Sequence, residues 1–360
     1  MTTQVSPALQ APDDARQAAI ESYRRRGRKK AISIAGLIVA AFASFIFAVV
    51  VGPIDIAPAD VFNAVFRPEL VDEQSRVVIQ TLRLPAAVMA VLCGAALGLA
   101  GGQMQTILDN PLAEPFTLGI SAAAAFGAAL SIVMGWTVIA NPQFNLALMA
   151  ALSALIAVAI VAGASVWRGA TAESMILLGI ALSFFFQALL SLLQYGANIE
   201  ALQQIVFWTM GSMQRANWSA NIILAVVVAA AIPFCIANSW RLTALRLGDD
   251  RAAALGIDVK RLRITTLLVA SFLAAAAVAF TGIIGFVGLV GPHVARMLVG
   301  EDQKYFLPGA AAAGAMLLSL AYAVSLSIIP GLAIPIGIIT SLVGVPFFVF
   351  LIFTRAKRRS

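Results

Sequence analysis

Charge is scarce in this sequence. Only 11% of its 360 residues are Asp, Glu, Lys or Arg, where soluble domains carry roughly a quarter. Hydrophobic residues make up 61%, and the mean hydropathy is +0.94. Histidine occurs once and cysteine twice. Cys93 and Cys235 fall in separate apolar runs without CxxC spacing or a neighbouring histidine cluster, so neither a metal site nor a disulfide framework is suggested. No GxxxxGK[ST] phosphate loop occurs, so any ATPase that serves this chain is another polypeptide. No acidic or basic side chain stands in the middle of an apolar run. Carriers driven by proton or sodium gradients usually place such groups there despite the cost of burying them. The lone His293 lies beside Pro292 and one turn from Arg296, and reads as a packing or loop-anchoring residue rather than a proton relay.

What remains is a succession of apolar runs from Ala31 to Thr354, each near the ~20 residues that cross a bilayer. Ten are predicted, over 31–52, 84–106, 115–137, 143–167, 174–198, 217–239, 262–282, 283–299, 307–329 and 333–354. The expected fold is an all-α polytopic membrane protein of about ten helices. Its domain spans 31–355, between a basic N-terminal tail over 1–30 and a basic C-terminal tail over 356–360. The eighth run is short and interrupted by Gly288, Gly291 and Pro292, so its backbone should be shielded by protein rather than lipid.

Basic residues set the orientation, because cytoplasmic loops retain Lys and Arg. With both termini inside, 20 of the 24 basic residues face the cytoplasm, and only Arg67, Arg76, Arg83 and Arg215 lie outside. The pI of about 9.9 therefore reflects topology rather than a nucleic-acid partner. The run Arg24 to Lys30 precedes the first span without a clear cleavage site after it, so that span reads as an uncleaved helix.

Between the sixth and seventh runs stands a segment too short to cross the bilayer. Asp249 is placed to cap a short helix over 250–255, and Gly256 suits the left-handed turn that ends one. Ala252, Leu255 and Ile257 would be exposed where a cytoplasmic loop is ordinarily polar. Such a surface fits a protein partner, or else a helix lying on lipid headgroups.

Leu247-Gly248-Asp249 through Leu255-Gly256-Ile257 resembles the coupling loop of the iron-siderophore, haem and cobalamin permeases of FecCD type. Further runs agree in order and spacing. They are Leu82-Arg83-Leu84-Pro85 with Gly94 to Gln105, Asn110-Pro111-Leu112-Ala113-Glu114-Pro115, Phe207 to Ser212, Gly282 to Arg296, and Pro335 to Phe348. Gly94, Gly98 and Gly102 let helices approach closely, as in many membrane proteins. Pro111 and Pro115 break the helix on the cytoplasmic side.

The resemblance implies a type II ABC importer permease in a bacterial cytoplasmic membrane. Its expected partners are a second permease, identical or paralogous, two ATP-binding subunits and an extracytoplasmic substrate-binding protein. It catalyses nothing and binds no cofactor itself, ATP and Mg being held by the partner ATPase. A loop at 244–257, through Leu247, Gly248, Asp249, Arg251, Ala252, Leu255 and Gly256, would receive the ATPase stroke. The pathway would draw on the fifth span and a short helix at about 199–210. Gln187, Gln194, Asn198, Met104, Asn110 and Pro111 are its candidates, although the first three could equally bond across the bundle. Arg83, Arg67, Arg76 and Arg215 would dock the binding protein. This outer face departs from the family pattern, with Ala86, Tyr322, Leu326 and Ile334 where charged residues are usual. Ferric siderophore is the expected cargo, with haem or cobalamin as alternatives and an ion-coupled carrier as a distant rival.

Overall fold

The computed structural model describes residues 7–52, 54–168, 171–329 and 331–356. Fourteen α-helices lie within them, and no β-strand occurs among the described residues beyond one isolated bridge between Ile329 and Leu332. Seven stretches are long and apolar enough to cross a membrane. They are α1 (Pro7–Val50), the stretch Glu73–Ile107 that holds α3 (Glu73–Val77) and α4 (Leu84–Ile107), α6 (Pro142–Arg168), α7 (Ala172–Gly196), α9 (Trp218–Leu245), α11 (Val259–Thr281) and α13 (Gln303–Ser327). Three shorter apolar helices, α5 (Ile120–Met134), α12 (Val287–Val299) and α14 (Ile336–Ala356), supply the rest. The ten runs of the sequence thus each have a helix. Four small helices sit at their ends: α2 (Pro58–Phe66), α3, α8 (Ile199–Thr209) and α10 (Asp249–Ala254).

Two boundaries differ from the sequence expectation. Gly288, Gly291 and Pro292 lie inside a continuous α12. The break falls before it, at Gly282 to Phe286, where Gly282 and Phe286 both take positive φ. The basic N-terminal stretch, as far as it is described, is helix continuous with the first span. The C-terminal tail beyond Ala356 lies outside the described residues.

Helix starts follow local chemistry. Thr171, Asn198, Asn217, Asp258 and Asp302 each accept a hydrogen bond from a backbone N–H in the first turn of the helix they precede, an arrangement worth about 1 kcal/mol apiece.

The bundle is built around α4, which is buried almost from end to end against α13, α11, α12 and α9. Its glycines explain why. A β-carbon on Gly94 or Gly98 would overlap the backbone of Gly314 or Ala310 on α13, and one on Gly101 would overlap Gly288 on α12. Lipid gives no hydrophobic drive for two apolar helices to associate, so close backbone packing must supply the attraction. Gly98→Leu is accordingly expected to abolish the monodisperse peak on size-exclusion chromatography. Gly36→Ala, where nothing lies within 4 Å, should leave it intact.

The glycine-rich motifs converge on a second junction. Gly211 and Gly282 face each other's segments so closely that a β-carbon on either would strike the other's backbone or that of Trp208 and Ile283. Ser212 N–H donates to the Thr281 carbonyl at 2.7 Å, and Gly337 N–H to Met210 at 3.0 Å. Three distant motifs therefore form one knot, joining the end of α8 to the starts of α12 and α14. By contrast, α7 leaves Leu177, Phe184, Leu192 and Tyr195 exposed, and α14 leaves Leu342 and Val343 exposed.

Candidate functional site

The site is assembled on the face that carries Arg246, Arg263, Arg296 and Lys304, called here the basic face. Gly248, at φ +104, turns the chain out of α9 and into α10. A Schellman motif closes α10: Ile257 N–H donates to the Ala252 carbonyl at 3.2 Å, and Gly256 N–H to Ala253 at 2.9 Å. Gly256 holds φ +80, the left-handed conformation such an ending requires. Ala252 and Ile257 pack into the bundle core, a contact that usually accompanies this motif.

The structure differs from the sequence expectation at Asp249, Ala252 and Ile257, and agrees with it at Leu255. Asp249 is the first residue of α10 and caps nothing; its carboxylate pairs instead with Arg263, at 2.9 and 3.1 Å. Ala252 and Ile257 are buried, at 0% and 6% exposure, and anchor the helix rather than present it. The apolar surface that faces outward consists of Leu247 and Leu255, 57% and 59% exposed, beside exposed Arg251.

Behind α10 lies an ionic lashing that the motifs did not reveal. Arg246, at the end of α9, reaches Asp109 at 2.5 Å and Glu301 at 3.2 Å. Arg296 of α12 pairs with the same Glu301 at 2.9 Å and donates to Gln105 of α4 at 2.9 Å. Arg263 of α11 donates through Nε to the Ile107 carbonyl at 2.8 Å while holding Asp249. The basic-face ends of α4, α9, α11 and α12 are thus tied to one another and to α10. The arginine side chains are only 12–22% exposed, while their carboxylate partners are 42–80% exposed. The only sequence hints were position: Arg246 precedes the Leu-Gly-Asp run, and Asp109 precedes Asn110-Pro111.

Asp109 opens the loop that follows α4. Asn110 Oδ1 accepts from Leu112 N–H at 2.9 Å, folding Asn110 and Pro111 into a half-buried turn. The chain then climbs back into the bundle. Glu114 lies beside Gly288, which itself sits against Leu97. Leu97 is ten residues, about 15 Å, up α4 from Ile107. The Phe286 N–H is near the carboxylate, whose Oε2 is buried without a hydrogen-bond partner among the described residues. The transmembrane helices carry no such group, but this re-entrant loop does.

The remaining predicted residues separate. Gln187 and Asn198 are exposed and Gln194 is half-buried along α7 and the start of α8, where Asn198 caps α8. Met104 is fully buried within the bundle. His293 stacks edge-on against Phe347, at 5.6 Å between ring centroids. Cys235 accepts from Gln103 Nε2 at 2.8 Å, and Cys93 lies 3.7 Å from the Thr281 hydroxyl.

On the opposite face the four arginines have different situations. Arg67 is exposed; Arg76 pairs with Glu73 at 2.6 Å. Arg215 donates to the Phe207 carbonyl at 3.1 Å, and burial pushes its guanidinium down to about 10. Arg83 is only 4% exposed. Its guanidinium donates to the Val50 carbonyl at 2.9 Å and to that of Ile54, satisfying backbone acceptors left at the end of α1. Its guanidinium thus has a structural role beside the end of α1. Arg83→Ala is expected to lower stability by about 1–3 kcal/mol, the cost of orphaned buried acceptors, seen as a lower melting temperature in detergent. Arg67→Ala should leave it unchanged.

A glycine-packed bundle of membrane-length helices with a short helix lashed beneath it has the architecture of a transport permease. The comparisons agree. The model of the FecCD transport family matches residues 37–354. A provisionally named ABC transporter permease protein of Methanocaldococcus jannaschii is 38% identical over 347 residues, covering 94% of this chain and 99% of its own. The hemin transport system permease protein of Yersinia pestis is 36% identical over 283 residues, covering 78% of this chain and 84% of its own. A solved inward-facing ABC transporter, provisionally assigned as metal-chelate type, superposes with a TM-score of 0.77 at 32% identity, over 90% of this chain and 99% of that one. The protein is the membrane-spanning permease of an ABC importer. The chain belongs to the FecCD transport family, whose permeases work with separate ATPase subunits and a binding protein.

Proposed function

We propose that this chain carries ferric siderophore across a bacterial cytoplasmic membrane, as one of two permeases above two ATP-binding subunits. The basic face, which holds most Lys and Arg of the sequence, is the cytoplasmic one. The outward-facing Leu247 and Leu255 of the α10 segment dock in the ATPase, where ATP and Mg are held; this chain itself binds no cofactor. Closure of the ATPases pushes α10, and Arg246 and Arg263 pass the movement to the end of α4 and its re-entrant loop. The exposed faces of α7, α8 and α14 meet the second permease and line the pathway with Gln187, Gln194 and Asn198. Arg67, Arg76 and Arg215 face the binding protein.

The observation that supports a chelated-metal cargo is the likeness to the 32% identical structure described as metal-chelate type. Haem is the second reading, favoured by the Yersinia relative.

Uptake of labelled ferric siderophores, haem and cobalamin in cells lacking the chain, with and without its restoration, tests the assignment. Loss and rescue of siderophore uptake alone is the expected result. Loss of haem or cobalamin uptake instead would overturn the cargo while keeping the machinery.

A further inference from the structure

A groove of about 710 Å³ runs along the outside of the bundle, away from α10 and from the exposed α7 face. Its walls are α1 and α9, which both lean on the core but scarcely touch one another. Its floor is α4 and α13, kept low by small residues such as Ala95, Ala311 and Ala312. The lining on α4 runs from Val88 to Leu99 and on α9 from Val228 to Ser239. Each stretch rises about 16 Å, close to half of the ~30 Å hydrocarbon core and so to the depth of one leaflet.

Polarity within the groove is confined to one end. Ser239, Gln303 and Lys304, all at the basic face, are the only lining residues with polar side chains other than Cys235. Beside them the ammonium groups of Lys30 and Lys304 stand over the same Tyr305 ring, 5.2 and 5.7 Å from its centroid. Asp302 pairs with Lys30 at 3.6 Å, while Lys304 has no ion-pair partner among the described residues. The site therefore combines a leaflet-deep apolar slot with an excess positive charge at headgroup level.

We propose that this groove is a binding site for one anionic phospholipid of the cytoplasmic leaflet. Its acyl chains fill the slot between α1 and α9, and its phosphate sits between Lys30 and Lys304. Bound there, the lipid bridges two helices that otherwise share few contacts, beside Gln303 and close to Glu301 of the ionic lashing.

Charge makes the test selective. Each lysine near an anionic headgroup contributes about a five-fold preference, from about 1 kcal/mol apiece. The full-length chain is reconstituted in equal amounts of phosphatidylglycerol and phosphatidylcholine with identical acyl chains, then released into native mass spectrometry. The expected result is one retained lipid per chain, with phosphatidylglycerol favoured at least five-fold. Lys30→Gln with Lys304→Gln should bring the two lipids near parity while both still bind. Ala312→Phe, which fills the slot from its floor, should remove retained lipid of both kinds. Equal retention by the unaltered protein would overturn the site, as would a preference untouched by the double lysine change. Should the Ala312 variant not fold, the lysine pair decides alone, because both side chains reach toward water and neither packs in the core.

Discussion

Replacing Arg246 with Asp is expected to cut transport at least tenfold while the partner ATPases continue to hydrolyse ATP. Arg246 holds Asp109 and Glu301 together at the root of α10. Reversing its charge places three carboxylates where there was a network. Asp109 is 80% and Glu301 42% exposed, so the effect comes from like charges that push the tie apart at the root of α10 rather than from the loss of a buried pair. The loss falls on the link between α10 and the α4 loop and not on the exposed Leu247 and Leu255, so docking of the ATPase should survive. The double change Asp109→Arg with Arg246→Asp should recover part of the uptake, because the pair is rebuilt with its sense exchanged. The measurement is the ratio of cargo moved to ATP hydrolysed in proteoliposomes. A ratio unchanged by Arg246→Asp would show that movement reaches the pathway by another route.

The second large effect is expected at Gly256. Its surroundings are open, with nothing within 4 Å of a built β-carbon, so only backbone conformation opposes substitution. At φ +80 a β-branched residue is strongly disfavoured, whereas Asn tolerates the left-handed region. Gly256→Val should loosen the Schellman ending, misplace Leu255 and lower uptake severely in a protein that still inserts and elutes normally. Gly256→Asn should retain most of the activity. Equal behaviour of the two variants would argue that the turn is not what presents α10. Comparing them separates conformation from size, which a single substitution cannot do.

Much of this architecture is legible in the sequence, because membrane helices declare themselves by length and hydropathy. The apolar runs, the short helix near 199–210 and the turn at Gly256 all fell where expected. So did the close approach at Gly94 and Gly98, whose partners on α13 could not be read. The errors share a physical cause. Which face of a short helix is buried depends on what lies behind it. Ala252 and Ile257 looked like exposed apolar residues and turned out to be the anchors. Arg83 was expected on the outer face as a docking residue, and the structure adds that the carbonyls of Val50 and Ile54 hold its guanidinium. Met104 lies on the most buried helix of the bundle, a placement that local pattern cannot reveal. Three links of the lashing join residues 137, 55 and 191 positions apart, and nothing in the order of a single chain marks such pairs. Glu114 was hidden for a related reason: it is not in a run at all, but in a loop that returns to membrane depth.

The central claim is that a separate ATPase, acting through α10, drives cargo across this bundle. It is tested most directly by uptake into proteoliposomes holding the permease, its ATP-binding subunits and the cargo-loaded binding protein. Uptake is expected with ATP on the side of the basic face, and none with ATP on the opposite face or with hydrolysis-deficient ATPase subunits. Accumulation driven by an ion gradient in the absence of ATP would contradict the account.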